Sequence, residues 1–271
     1  MNIKGVLLII VLFVLLYIVI KYLLSDLNTL SSSMLSGTQL QTITADKLPV
    51  NGSGPQASNF TYSMWFYVQD WNYKYGELKV LFGRMGSGSG SSSTSSVPGS
   101  TSACLVSTSS SPAATTDEFS MFGSDPCPLV TLGALTNDLT VSLSVFSPAS
   151  AGKTTFRCKV ANVPIQKWVN LSMSVYGRSL DIYIDGKLVK TCVLPGLASI
   201  NSNADLYVTP NGGFSGWTSK FQYYPNAIDP QTAWNIYQAG YGSSLASSMF
   251  GTYQVQVSFL ENGNETGSIT I

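Results

Sequence analysis

The chemistry open to this chain is narrow. Among its 271 residues there is no histidine and there are four glutamates, Glu77, Glu118, Glu261 and Glu265. Without imidazole, Ser-His-Asp and Cys-His catalysis and nearly all zinc chemistry are excluded. Carboxylate pairs remain. A retaining glycosidase holds two carboxyl groups about 5–5.5 Å apart, whereas Asp181 and Asp185, four apart on an expected strand, stand roughly 13 Å apart. Asp125, Asp138 and Asp205 follow no calcium-ligand spacing. No catalytic residue, cofactor or metal ligand is therefore assigned.

Two other residue types carry possible function. Trp65, Tyr67, Trp71, Tyr73 and Tyr75 crowd one expected strand and the loop after it, and flat aromatic faces suit stacking on sugar rings. The competing reading is that they fill a sandwich core and its edge; Trp217, Tyr223 and Tyr224 carry the same ambiguity. The cysteines Cys104, Cys127, Cys158 and Cys192 are even in number. Nearness in sequence pairs Cys158 with Cys192 and Cys104 with Cys127, free buried thiols being the alternative. Asn51, Asn59, Asn170 and Asn264 head N-x-S/T sequons.

Fourteen basic residues balance fourteen acidic ones, so no excess charge is left to neutralise phosphates, and nucleic acid is excluded as a partner. Only 10% of residues are charged, under half the usual quarter. Uncharged polar groups must cover the surface, and forty residues are serine.

The elements that would position these residues begin with an unbroken apolar block from Val6 to Ile20. Summed over its residues, insertion into a bilayer is favoured by at most about 4–8 kcal/mol. A single-pass anchor over residues 5–24 is expected, with Lys4 and Lys21 at the interfaces, a cleaved signal peptide being the rival. Leu23, Leu27, Leu30 and Met34 recur at helical spacing before Gly37, which predicts a stalk completing a segment 1–37. Residues 38–58 read as a linker, and 59–271 as an all-β sandwich.

Within the sandwich, period-two alternation predicts antiparallel strands at Phe60–Val68, Leu139–Val145 and Val169–Val175. Leu180–Val193 reads as a hairpin about Asp185-Gly186, with Asp181 opposite Lys190. Further strands are expected at Leu78–Arg84, Glu118–Phe122, Thr154–Val160, Asp205–Thr209, Phe214–Tyr224, Tyr253–Phe259 and Gly267–Ile271. Asp229-Pro230 opens a short helix that ends by Gly240, so that 229–240 is helical. The Gly/Ser/Thr-rich stretch 86–116 reads as an insertion loop.

Three ordered stretches resemble the laminin-G-like, concanavalin A-like superfamily of jelly rolls. They are Phe60–Val68, similar to an opening F-T-x-x-x-W strand; Trp168–Ser172 with Leu180–Val189, similar to a W-x-x-v … Y-v-D-G-x-l-v hairpin; and Gly213–Gly216 with Phe221–Tyr237, similar to a closing strand and helix. The resemblance implies two stacked antiparallel sheets and roles in carbohydrate or protein recognition. Its glycan hydrolases carry an E-x-D-x-E strand that is missing here, so a degenerate glycanase ranks last.

The first expectation is a non-enzymatic, membrane-anchored structural protein. In architecture it resembles minor capsid proteins of large icosahedral DNA viruses, with a bilayer and capsid or envelope proteins as partners. The alternative is a cell-surface lectin or adhesin that binds glycans.

Overall fold

A computed structural model describes residues 28–49, 58–86, 125–146, 152–242, 256–261 and 264–270, with Leu12 and Leu15. All of the expected anchor but Leu12 and Leu15, the expected strand Glu118–Phe122, Cys104, Asn51 and nearly all of the 86–116 stretch lie outside the described residues. Among those residues, no helix is long and apolar enough to cross a membrane.

The chain forms two packed antiparallel sheets with one short helix. In chain order the strands are β1 (Thr29–Ser31), β2 (Leu35–Ser36), β3 (Gln41–Ile43), β4 (Phe60–Asp70), β5 (Lys79–Gly86), β6 (Asp125–Leu132), β7 (Leu139–Phe146) and β8 (Lys153–Val160). They continue as β9 (Trp168–Tyr176), β10 (Ser179–Ile184), β11 (Lys187–Val193), β12 (Leu206–Val208), β13 (Ser215–Tyr224), β14 (Gln256–Glu261) and β15 (Asn264–Thr270). The first sheet runs β1-β13-β4-β9-β10-β11, with β2 also on β13; the second runs β3-β12-β5-β6-β7-β8. Strands β14 and β15 pair with each other. The helix α1 spans Pro230–Gln238.

Alternation along each strand decides which face is core. On β4, Phe60, Tyr62, Met64, Phe66 and Val68 point into the sandwich, and β9 contributes Val169, Leu171, Met173 and Val175 from the paired positions. They meet Leu81, Phe82, Val130, Val141, Leu143 and Val145 of the second sheet. Burial of this apolar surface, at about 25 cal/mol per Å², is the main force holding the sheets together.

Helix α1 starts where proline follows an N-cap: Asp229 Oδ1 accepts the Thr232 backbone N–H at 2.7 Å. Ala233 and Ile236 are its buried face.

Several expectations change. Residues 29–31 and 35–36 are strand where a helical stalk was expected: Leu30 packs toward the core and Met34, between the two strands, is exposed, so the two no longer share a stripe. Pairing with β13 satisfies this backbone and overrides a weak helical period only two turns long. The expected linker likewise contributes β3, which pairs with β12, and Leu48, which is buried. The sandwich therefore begins near residue 29. Strand β6 was not expected because Pro126 and Pro128 lie in it, and proline normally demotes a central strand.

The β10–β11 hairpin turns at Asp185 and Gly186, whose φ values of 51° and 72° suit a type I′ turn. A bulge next to Ile182 then shifts the register by one residue. Asp181 stands opposite Thr191, whose hydroxyl donates to Asp181 Oδ1 at 2.6 Å, and Lys190 stands opposite Ile182.

Candidate functional site: an aromatic row on the outer face of the first sheet

The site is built by register. On β4 the residues between the core positions are Thr61, Ser63, Trp65, Tyr67 and Gln69, and these face outward. Tyr67 is directly opposite Trp168 of β9 on one side and Trp217 of β13 on the other. Three aromatic side chains thus line up across three neighbouring strands. Their ring centroids are 5.8 Å (Tyr67 to Trp168) and 5.6 Å (Tyr67 to Trp217) apart, with tilts of 57° and 55°. Tyr241, just past α1, extends the row by stacking on Trp168 at 4.5 Å and 10°. Trp217 and Tyr241 remain 37% and 41% exposed. Tyr67 and Trp168, between them, are half-buried.

Beside the row the same face changes character. Asn170, Ser172 and Ser174 on β9 stand opposite Trp65, Ser63 and Thr61 on β4. They form a buried layer of hydroxyls and amides. Ser172 Oγ is 2.9 Å from Ser63 Oγ, Asn170 Nδ2 donates to Ser63 Oγ at 3.3 Å, and Thr61 Oγ1 donates to Ser174 Oγ at 3.1 Å. The segment leading into α1 closes over this layer, the Ile228 N–H donating to Ser174 Oγ at 3.0 Å. Polar groups buried in this way persist because each has a partner.

Helix α1 is pinned between layer and row. Tyr237 stacks on Trp65 at 5.6 Å and 20°, and Ser219 Oγ donates to the Tyr241 carbonyl at 2.7 Å. Close approach of the helix needs Gly186, where an added Cβ would lie 2.9 Å from Tyr237 Cβ. A second glycine sets the row itself. At Gly216, the bulge residue before Trp217, φ is +151° and a Cβ would fall 1.8 Å from the Tyr67 carbonyl oxygen. Gly216→Ala is expected to displace Trp217 and lower the melting temperature by several degrees, which differential scanning calorimetry and near-ultraviolet circular dichroism would check.

The five aromatics singled out from the sequence part ways. Tyr67 is the centre of the row. Trp65 is only 4% exposed, lies under Tyr237, and its Nε1–H has no hydrogen-bond partner among the described residues. Trp71 packs against the core and carries the Lys79 ammonium 4.5 Å from its ring centre. Burial lowers the Lys79 pKa, and its Nζ also donates to the Lys74 carbonyl. Tyr73 rests against Gly212, and Tyr75 is exposed away from the other rings. Tyr223 is core, its hydroxyl donating to the Pro49 carbonyl. Trp168 and Tyr241 were missed as site residues. Cross-strand register, which no local spacing encodes, brings Trp168 in, and the return of the chain after α1 brings in Tyr241.

Among the described residues no three metal-ligating side chains cluster. Asp125 pairs with Lys153 at 3.2 Å, and Asp205 Oδ1 accepts the Ala45 N–H at 2.9 Å. Asp138 pairs with Lys159 at 2.8 Å, and the bonds from Lys159 and Thr136 hold its carboxyl down at about 2. Asp138 and Lys159 belong to a cleft of about 580 Å³ with Val160, Val163, Ile184 and Val189, at the edge where β8 and β11 meet.

Cys158 and Cys192 form a disulfide across that edge, joining the two sheets. Cys127 is a buried free thiol among the described residues, and Cys104, its partner in the expected second bridge, lies outside them. Burial pushes the Cys127 thiol up to about 12. We expect Cys127 to resist iodoacetamide at pH 8 in the folded protein and to react on unfolding, read by mass spectrometry. Of the sequons, Asn170 is fully buried, which leaves no room for a glycan on the folded chain. Asn59 is half-buried, with its Oδ1 accepting the Gly177 N–H.

No family model and no curated protein matches the sequence. Among solved structures, the chain is similar to the binding domain of botulinum neurotoxin serotype G (13% identity, TM-score 0.43, covering 79% of this chain and 50% of that one). It is also similar to the serotype D ligand-binding domain solved with N-acetylneuraminic acid (8%, 0.46, 79% and 50%). A third is the serotype DC binding domain solved with rat synaptotagmin II (12%, 0.46, 83% and 49%). The chain spans about half the length of these solved chains, and the likeness is a distant one of β-sandwich fold.

Proposed function

We propose that this protein is a non-enzymatic carbohydrate-binding module of concanavalin A-like type, and that Trp217, Tyr67, Trp168 and Tyr241 are its glycan platform. The observation that carries this reading is the cross-strand row itself, with rings left exposed at both of its ends. A core has no need of tryptophan on the outer face of a sheet, and rigid aromatic faces present contact area at little conformational cost. Further along the same strands α1 and the segment before it close over Ser63, Trp65, Asn170, Ser172 and Ser174, while the row stays open to a ligand. The apolar block at residues 6–20 would hold such a module at a membrane surface, facing the glycans around it. The row ranks glycan recognition above a link between membrane and protein shell, because it supplies a ligand chemistry where the other reading rests on architecture alone.

The test is a glycan array probed with the intact protein, followed by titration of hits through tryptophan fluorescence. Binding that is lost in Trp217→Ala supports the proposal. An empty array, or binding that persists when both Trp168 and Trp217 are replaced, overturns it.

A further inference from the structure

Resting on that reading, we infer that the platform selects uncharged oligosaccharides and discriminates against sialylated or other acidic ones. The outward positions of the three strands that carry the row hold no ionisable acid or base with a full charge at neutral pH. They are Thr61, Ser63, Trp65, Tyr67 and Gln69 on β4, Trp168, Asn170, Ser172, Ser174 and Tyr176 on β9, and Trp217, Ser219, Gln222 and Tyr224 on β13.

The lysines on and beside these strands are committed elsewhere, and Lys220, in the β13 bulge between Ser219 and Gln222, is itself engaged. Lys167, adjacent to Trp168, has its ammonium 2.9 Å from Asp185 Oδ2. That carboxylate is fixed in turn, since Asp185 Oδ1 accepts the Asn170 N–H at 2.9 Å. Lys74 donates to the Asn211 carbonyl and lies 3.6 Å from Glu77. Lys79 is buried over Trp71. Lys187 is opposite Ile184, whose side chain packs on the core, so it leaves β11 on the inner side of the sheet, away from the row.

A glycan carboxylate lowered onto the rings would lose water and find no uncommitted cation among the described residues to replace it. Desolvating an unpaired charge is unfavourable, whereas a neutral ring stacks with its hydroxyls still turned to solvent. The pairing of Lys167 with Asp185 is therefore a specificity device: it removes the one lysine beside Trp168 that could greet an anion.

The experiment uses the intact protein and two probes, a galactose-terminated biantennary N-glycan and the same glycan capped with N-acetylneuraminic acid, which adds an acidic sugar to each antenna. Isothermal titration is expected to show the uncapped form binding at least about tenfold more tightly, one unit of 1.4 kcal/mol. Equal or tighter binding of the capped form overturns the inference and leaves the carbohydrate-binding proposal standing. Absence of binding to both probes and to a wider neutral panel overturns the proposal itself. Asp185→Asn keeps an acceptor for the Asn170 N–H and a residue tolerant of positive φ, while freeing Lys167. It is expected to narrow the preference several-fold by strengthening binding of the capped glycan; an unchanged ratio overturns the role given to the pair.

Discussion

Replacing Trp168 and Trp217 together by alanine is expected to weaken glycan binding by at least about a hundredfold while the sandwich stays folded. The two side chains flank Tyr67 and form most of the row's aromatic area. Each behaves as an aromatic anchor of the kind whose loss costs about 2 kcal/mol or more. Their effects do not simply add, since both act on one continuous surface, and the single variants are expected to reach well over half of the combined loss. Stability responds differently. Trp217 is partly open to solvent and, among the described aromatics, contacts Tyr67 alone, so its removal leaves little cavity. Trp168 also supports Tyr241, so its removal is expected to loosen the segment after α1. Titration by fluorescence of the remaining tryptophans, alongside thermal melts, separates the two effects.

Reducing the Cys158–Cys192 bridge is expected to lower the unfolding free energy by about 4 kcal/mol. The bridge closes a loop of sequence separation 34, and the chain-entropy relation gives about that value for such a loop. The two cysteines lie on β8 and β11, the edge strands of opposite sheets, so the bond resists the sheets separating where side-chain packing thins out. Lys190 Nζ, donating to the Lys159 carbonyl at 2.8 Å, crosses the same edge and is too exposed to substitute for it. Urea denaturation of a Cys158→Ala/Cys192→Ala variant, compared with the parent, measures the difference. A loss below about 1 kcal/mol would show the edge held by packing instead.

The parts of this fold that alternate strictly were legible in the sequence. Strands β4, β7 and β9, the type I′ turn at Asp185-Gly186 and the proline-led helix each announce themselves within a dozen residues. Strand β6 did not, because its two prolines mimic a turn. Strands β1 to β3 did not, because they are two or three residues long and exist only through partners about 160 to 190 residues away, as Gln41 opposite Val208 shows. The candidate site sits at the same limit. Tyr67 stood out as one of five crowded aromatics, but which of the five face outward follows from the parity of β4. Which join other rings follows from a register set by the β13 bulge at Gly216. A local reading therefore included Trp65, which α1 covers, and omitted Trp168, which completes the row.

The seam at the start of the described chain has a mechanical side. Residues 29–43 pair with β13 in one sheet and with β12 in the other. A tension applied at Asn28 would not stretch a slack cord before reaching the folded body. It would be borne at once by ladder hydrogen bonds beside β13, the strand that carries Trp217. If the preceding apolar residues hold the chain to a bilayer, a tug on a captured ligand and the pull of the anchor would meet on that one strand, within a few residues of each other.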